Sequence, residues 1–293
     1  MFTTLITPEQ LQQLQQLQAS AIPLAVFDCT FDLMNPAAGA QQFAQCHVAG
    51  ARHADLDHHL SHHPHTALAD DRPASAGRHP LPSHSTFAAW LGSQGVGNGT
   101  QVVVYDRNGM NYCGRLWWML KWCGHEAVAV LDGGLAAWQA AQGAVESGNS
   151  PAAEPARFEL GEPLATLTDT DTVLAGLGQA SQTVLDARGA PRYRGEVEPL
   201  DPIAGHIPGA LNRPFSDNLG PDGRFKPAAQ LQAEFSALLA GRNPASVVHQ
   251  CGSGVSAVPN LLAMELAGLG RQALYAGSWS EWSRTPGLPV EKG

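Results

Sequence analysis

The sequence predicts an α/β protein built as two tandem domains, each a mainly parallel sheet flanked by helices. Three observations lead there: matched blocks recur along the chain, β-branched runs alternate with helical stretches in each copy, and a Gly/Ala/Pro-rich segment divides the copies. The first is the strongest. "AVFDCT" around Asp28 is matched by "TVLDAR" around Asp186, and "CHVAGA" around Gly50 by "GHIPGA" around Gly209, at separations of 158 and 159 residues. Further on, "QVVVYDRNGMN" is matched by "SVVHQCGSGVS" and "VLDGGLAAW" by "LYAGSWSEW". Asp106 then pairs with Cys251 at 145 residues and Gly133 with Gly277 at 144, so the second copy is shorter in its middle. Four blocks in one order mark a duplication, which must be recognised before any fold is assigned.

In the second copy, Thr183 to Leu185 and Ser246 to His249 predict strands, and Ala228 to Leu239 and Val255 to Ala267 predict helices. Such alternation favours a parallel sheet covered on both faces. The segment 143–163 reads as an extended linker, which places the first domain at residues 1–142 and the second at 164–293. Leu5, Leu11, Leu14 and Leu17 predict a short amphipathic helix at the start. The opening residues lack the basic start and apolar core of a secretion signal, and no apolar run reaches membrane-spanning length.

Composition excludes several function classes. With 293 residues, 44% hydrophobic and 15% charged, the chain can bury two ordinary cores. Its formal charge of −9 argues against nucleic acid, which requires a basic face. The five cysteines (Cys29, Cys46, Cys113, Cys123 and Cys251) form no C-x-x-C pair. Neither a disulfide framework nor a zinc site is signalled, so a cytoplasmic location and no bound metal or cofactor are expected.

Cys251 stands apart from the other four. It lies where an apolar strand ends and a helical pattern begins, in "HQCGSGVSA". Gly252 and Gly254 permit positive φ and close backbone approach, so the intervening N–H groups can turn inward as an anion nest that suits a thiolate. The helix end alone contributes about 0.3–1 kcal/mol, so several convergent amides are needed. Two nucleophilic chemistries use such a cradle. Phosphate-ester hydrolysis requires arginine six residues after the cysteine, where this chain has Ala257. Sulfur transfer, in which the thiolate takes up a sulfane sulfur as a persulfide, requires no such arginine. Asp106 cannot carry a persulfide, so the first copy is expected to be inert.

With these residues assembled, the chain resembles the tandem-domain rhodanese-type sulfurtransferases from about Thr7 to Val290. "CGSGVSA", "GHIPGA", "LDGG" and "GSWSEW" carry the resemblance. The loop is most similar to that of the 3-mercaptopyruvate branch, which usually has threonine where Ser256 stands. Thiosulfate-preferring members carry basic residues in that loop, whereas Gly252 and Ser253 are neutral. The resemblance implies that Cys251 accepts sulfur, with the amides of Gly252, Ser253, Gly254, Val255 and Ser256 around it. It implies that Ser253 works with His79 and Asp57 of the first domain in moving protons. It further implies that Arg192 holds the donor's carboxylate, and Asp186 and Arg188 are assigned to supporting the loop. A small-molecule sulfur donor follows, with cyanide or a thiol as acceptor, such as thioredoxin or a low-molecular-weight thiol.

Leu200 departs from the pattern. Many members of the mercaptopyruvate branch have a second arginine just after a Glu-Pro pair, and here Leu200 follows Glu198-Pro199. That keeps thiosulfate as an alternative donor and raises Arg194 as a substitute. A non-catalytic sulfur-relay protein is the alternative of another class. The histidine-rich stretch His58, His59, His62, His63 and His65 reads as a solvated loop rather than a metal site. His206 is expected to satisfy backbone groups at a turn, and Trp117, Trp118, Trp279 and Trp282 are expected in the core.

Overall fold

The computed structural model describes residues 1–17, 23–69, 71–149 and 152–293. It divides into two compact units. The first comprises Met1–Ala74, Pro82–Leu164 and Asp222–Arg224; the second comprises Ser75–Leu81, Ala165–Pro221 and Phe225–Gly293.

The first unit runs β1 (Leu5–Ile6), α1 (Pro8–Leu17), β2 (Leu24–Asp28), α2 (Ala37–Gln45), β3 (His47–Val48), β4 (Arg52–His53), α3 (His84–Ser93), β5 (Gln101–Tyr105), α4 (Cys113–Trp122), β6 (Val128–Leu131), α5 (Gly134–Ala140) and β7 (Val145–Glu146). Five strands form a sheet in the order β1-β6-β5-β2-β4, every pair parallel. The run Val102–Val104 is buried at the centre of this sheet, as expected of a strand covered on both faces. Leu5 belongs to the edge strand rather than the first helix, and Leu11 is the leucine that α1 buries.

The second unit repeats the pattern: β8 (Thr166–Thr168), α6 (Thr170–Ala175), β9 (Thr183–Asp186), α7 (Ala190–Tyr193), β10 (Leu211–Asn212), α8 (Ala228–Leu239), β11 (Val247–Gln250), α9 (Val258–Leu266), β12 (Ala273–Tyr275) and α10 (Ser278–Trp282). Its parallel sheet has the order β10-β9-β11-β12-β8. Strand for strand this is the order of the first sheet, so the duplication read from four short blocks extends to topology. Trp279 and Trp282 join Val184, Val248 and Tyr275 in the core on one face.

Two local differences from the sequence reading have physical causes. The helix expected from Val255 starts at Val258, because residues 251–257 first coil as a loop. Hydrophobic spacing alone does not separate that loop from the helix it feeds. The segment read as a linker lies along the first unit. Val145 and Glu146 pair antiparallel with β3, and the amides of Ala156, Gly161 and Leu164 donate to carbonyls of Gly92, Cys123 and Lys121. These backbone bonds tie its ends to the first unit.

Candidate active site

The loop after β11 is held from both sides. The Cys251 amide donates to Ser278 Oγ at 3.1 Å, and the carbonyls of Cys251 and Gly252 accept from the amides of Trp279 and Ser280 at 3.0 and 2.9 Å. Ser278 accepts the Cys251 amide from a left-handed conformation, φ +54, uncommon for a residue with a side chain. Its Oγ also donates to the carbonyl of Tyr275 at 2.9 Å. The "GSWSEW" block therefore clamps the start of the loop. Cys251 itself is buried, 1% exposed.

Gly254 has φ +72, and a Cβ there would press on the carbonyl oxygen of Ala276 and come within 2.7 Å of its Cα. Gly252, by contrast, has no left-handed φ. Two guanidinium groups lie beside it at ordinary contact distance. A Cβ at Gly252 would lie 3.6 Å from Arg192 Nη1 and 3.7 Å from Arg78 Nη1. Between the two glycines Ser253 is buried, and its Oγ lies 2.7 Å from His79 Nδ1, a hydrogen bond whose direction follows the imidazole tautomer. The segment 75–81 supplies His79 to the second unit, and the Arg78 amide donates to Ser280 Oγ at 2.9 Å.

The first copy displays the same loop with a carboxylate in place of the thiol. Asp106 Oδ1 accepts from the amides of Asn108 and Met110 at 2.8 and 2.9 Å, and Oδ2 from those of Tyr112 and Cys113 at 2.8 and 2.9 Å. Burial pushes its carboxyl above the usual range, against the downward pull of those four amides. By block alignment the residues matching Asn108 and Met110 are Ser253 and Val255. The loop architecture thus gathers amides at the strand end.

Charges alternate around the second-unit loop. Asp186 receives Arg188 through both carboxylate oxygens, at 2.7–3.1 Å. Arg188 also reaches Glu198 at 3.3 Å and the Gly205 carbonyl at 2.7 Å, and it stacks over the Trp279 ring at 4.6 Å. Glu198 in turn receives Arg192 at 2.7 Å. Arg192 Nη2 is 3.5 Å from Asp201, which holds Arg78 at 2.6 Å and Arg284 at 2.9 Å. Four guanidinium groups face three carboxylates, Asp186, Glu198 and Asp201, which leaves one positive charge in excess beside the loop.

The second unit therefore brings together Cys251, Gly252, Ser253, Gly254, His79 and Arg192, with Asp186 and Arg188 behind them. Val255 is buried and Ser256 half-buried, both in the loop. Asp57 belongs to the first unit, where burial and the neighbouring Asp55 raise its carboxyl, opposed by His58 and His63. Arg194 turns to Glu196, 2.7 Å away on the exposed side of α7, so it does not stand in for the arginine missing at Leu200. Arg78, Glu198, Asp201, Arg284 and Ser278 were not foreseen. The side chains that Arg78 and Ser278 meet are remote in sequence or outside any periodic pattern.

His206 Nδ1 bonds the Tyr193 carbonyl at 2.8 Å. Trp117, Trp118, Trp279 and Trp282 are buried. Among the described residues no three His, Cys, Asp or Glu side chains are grouped to hold a metal ion, the histidine-rich stretch included. Burial pushes His59 of that stretch down to about 4, with Asp55 opposing. No helix among the described residues is long and apolar enough to cross a membrane.

A model of the rhodanese-like domain matches residues 7–141 and again residues 169–285. A probable 3-mercaptopyruvate sulfurtransferase of Pseudomonas aeruginosa is 48% identical over 288 residues, 97% of this chain and 98% of that protein. A Mycobacterium tuberculosis protein provisionally named a thiosulfate sulfurtransferase is 37% identical over 92% of both chains. Among solved structures, the 3-mercaptopyruvate sulfurtransferase from Leishmania major superposes with a TM-score of 0.79 at 29% identity, covering 98% of this chain and 76% of that one.

Proposed function

The chain belongs to the rhodanese-like family as a tandem pair of its domains, and from that premise we propose that it transfers sulfur from 3-mercaptopyruvate through a persulfide on Cys251. One observation carries the reading: a buried cysteine at a strand end, two residues before a serine that is hydrogen-bonded to a histidine at 2.7 Å. The full-length similarity to a probable 3-mercaptopyruvate sulfurtransferase supports it.

The chemistry balances as follows. The Cys251 thiolate attacks the donor's thiol sulfur, forming an S–S bond while the donor's C–S bond breaks. The electron pair of that bond passes onto the carbon and is delocalised by the adjacent ketone as the pyruvate enolate. The proton leaving the donor's thiol is relayed by Ser253 and His79 and ends on the enolate carbon, giving pyruvate. The loop amides stabilise the negative charge that stays on the enzyme-bound sulfur pair. An acceptor thiol then gives its proton to the persulfide, and the thiolate so formed attacks the outer sulfur, leaves as its own persulfide and restores the Cys251 thiolate. Asp57 is kept as a proposed participant in proton transfer on the strength of the family resemblance.

Intact-mass measurement after treatment with 3-mercaptopyruvate tests the proposal. The wild-type protein gains one sulfur and Cys251→Ser gains none; an unmodified wild type would overturn the reading. Thiosulfate is a second candidate donor because Leu200 removes one expected arginine. Faster turnover of thiosulfate than of 3-mercaptopyruvate at matched concentration would select it. Sulfur uptake solely from a protein persulfide would indicate a relay protein.

A further inference from the structure

We propose that the first unit holds a binding site for a small organic carboxylate, anchored by Arg52 in the cavity that it shares with Phe43, Gln94 and Asn149. The site belongs wholly to the copy whose loop carries Asp106 in place of the thiol, so it stands apart from the choice of sulfur donor.

Strand β4 places Arg52 opposite Phe27 of β2, and its guanidinium carbon lies 5.2 Å from the centre of the Phe27 ring. The residue is half-buried, and its Nη1 is buried with no hydrogen-bond partner among the described residues. Burial pulls the guanidinium down from its usual value, and no neighbouring acid opposes that shift. A desolvated charge without a counter-ion works against folding. The scaffold does not call for one here. In the second copy the matching place is held by Leu211, opposite Leu185 in the same register. The guanidinium is thus an addition peculiar to the first copy, unpaired by the protein and unnecessary to the sheet.

The cavity beside it has a volume of 320 Å³, within the range of small-molecule sites, and its lining contains no Asp or Glu. Phe43 and three alanines supply the apolar part, and the carboxamides of Gln94 and Asn149 the polar part. Gln94 gives Nε2 to Ser93 Oγ at 3.3 Å, which leaves its second amide hydrogen for a ligand. His53, also in the lining, is committed through Nε2 to the Thr30 carbonyl at 3.1 Å. One guanidinium balances one negative charge, and its planar fork matches the two oxygens of a carboxylate. A phosphate dianion would bring more charge than Arg52 neutralises, whereas the apolar wall suits an organic body.

The test reads the Arg52 side chain itself in the full chain. Its Nε–Hε resonance is identified by NMR as the one missing from Arg52→Leu, which installs the residue that the second copy already uses. Titrated with sodium benzoate at constant ionic strength, the resonance shifts and saturates with a Kd on the order of 1 mM, as expected of so small a ligand. Benzamide, which has the same shape without the charge, binds at least about tenfold more weakly, the loss of one charge-assisted contact. Inorganic phosphate is also weaker than benzoate. Without benzoate, Arg52→Leu melts no lower than the wild type. A resonance that benzoate leaves in place, or that benzamide moves equally, would overturn the site. Tighter binding of phosphate would overturn the carboxylate class. A lower melting temperature in Arg52→Leu would overturn the proposal by giving the guanidinium a packing role over Phe27 instead.

Discussion

Gly252 and Gly254 flank Ser253, and their replacement by alanine should have opposite consequences. At Gly254 the added Cβ meets two independent penalties. The left-handed φ of +72 costs a residue with a side chain about 1–2 kcal/mol. The contact with Ala276 is with backbone, at 2.7 Å from Cα and 2.9 Å from the carbonyl carbon, and strand-end backbone yields less readily than a side-chain tip. Overpacking of that kind adds about 1–3 kcal/mol. Gly254→Ala is therefore expected to lose about 2–5 kcal/mol, which lowers the transition of the second unit by roughly 5–15 °C for a domain of this size. At Gly252 the same methyl group finds guanidinium nitrogens at 3.6–3.8 Å, ordinary contact distances, and an unexceptional backbone. Gly252→Ala should leave stability within about 0.5 kcal/mol. It occupies the space under Arg78 and Arg192, however, so KM for 3-mercaptopyruvate should rise. Calorimetric melts and initial rates on the two purified variants give both readings. Equal melting temperatures, or a Gly252→Ala variant with the lower one, would refute the assignment of backbone strain to one glycine and ligand space to the other.

Ser253→Ala and His79→Asn should each lower kcat with 3-mercaptopyruvate about 100-fold, and the double variant should be no slower than either, because the two side chains act as one relay; multiplicative losses would show that they act separately. Asp106→Asn turns an amide NH2 towards two backbone donors and should destabilise the first unit by about 2–4 kcal/mol in denaturant melts. Persulfide formation on Cys251 should persist in the folded variant, and its loss would mean that the first copy takes part in the chemistry. His249 is fully buried, neither ring nitrogen has a partner among the described residues, and burial pushes its pKa down to about 3 from 6.5. The unfolded state binds the proton more readily, so this contribution is complete above about pH 6.5 and falls by about 1 kcal/mol per unit as the pH drops towards 3. His249→Leu should flatten that slope in melts between pH 7 and pH 5, and an unchanged slope would assign it to other groups.

The duplicated α/β plan was legible because it is written in local patterns: apolar runs ending in Asp28 and Asp186, and glycine-spaced turns at fixed offsets. Cys251 was legible for the same reason, standing at a strand end before "GSG". The partner of Ser253 came from the family resemblance and not from spacing, since His79 lies 174 residues away. Arg78 was not legible at all. Its meaning depends on Asp201, 123 residues distant, and on the return of segment 75–81 to the second sheet's unit. Conversely, Arg194 looked suitable by proximity in sequence, yet α7 points it to Glu196. Pairings over such distances are set by tertiary packing, which periodicity does not encode. The start of α9 was misplaced because glycine and small residues fit a coil as readily as a first helical turn.

Asp106 says something about how such a protein can lose a reaction without losing a domain. Four backbone donors converge on its carboxylate, so the turn is content with any anion of the right reach. A resident carboxylate cannot be exchanged, and the first copy keeps its anion permanently. On the proposed reading, the second copy holds at the corresponding place a sulfur atom that is lengthened by one sulfur and shortened again. Turnover on that proposal is a change in the length of the group the turn holds, whereas the group held by the first copy stays fixed.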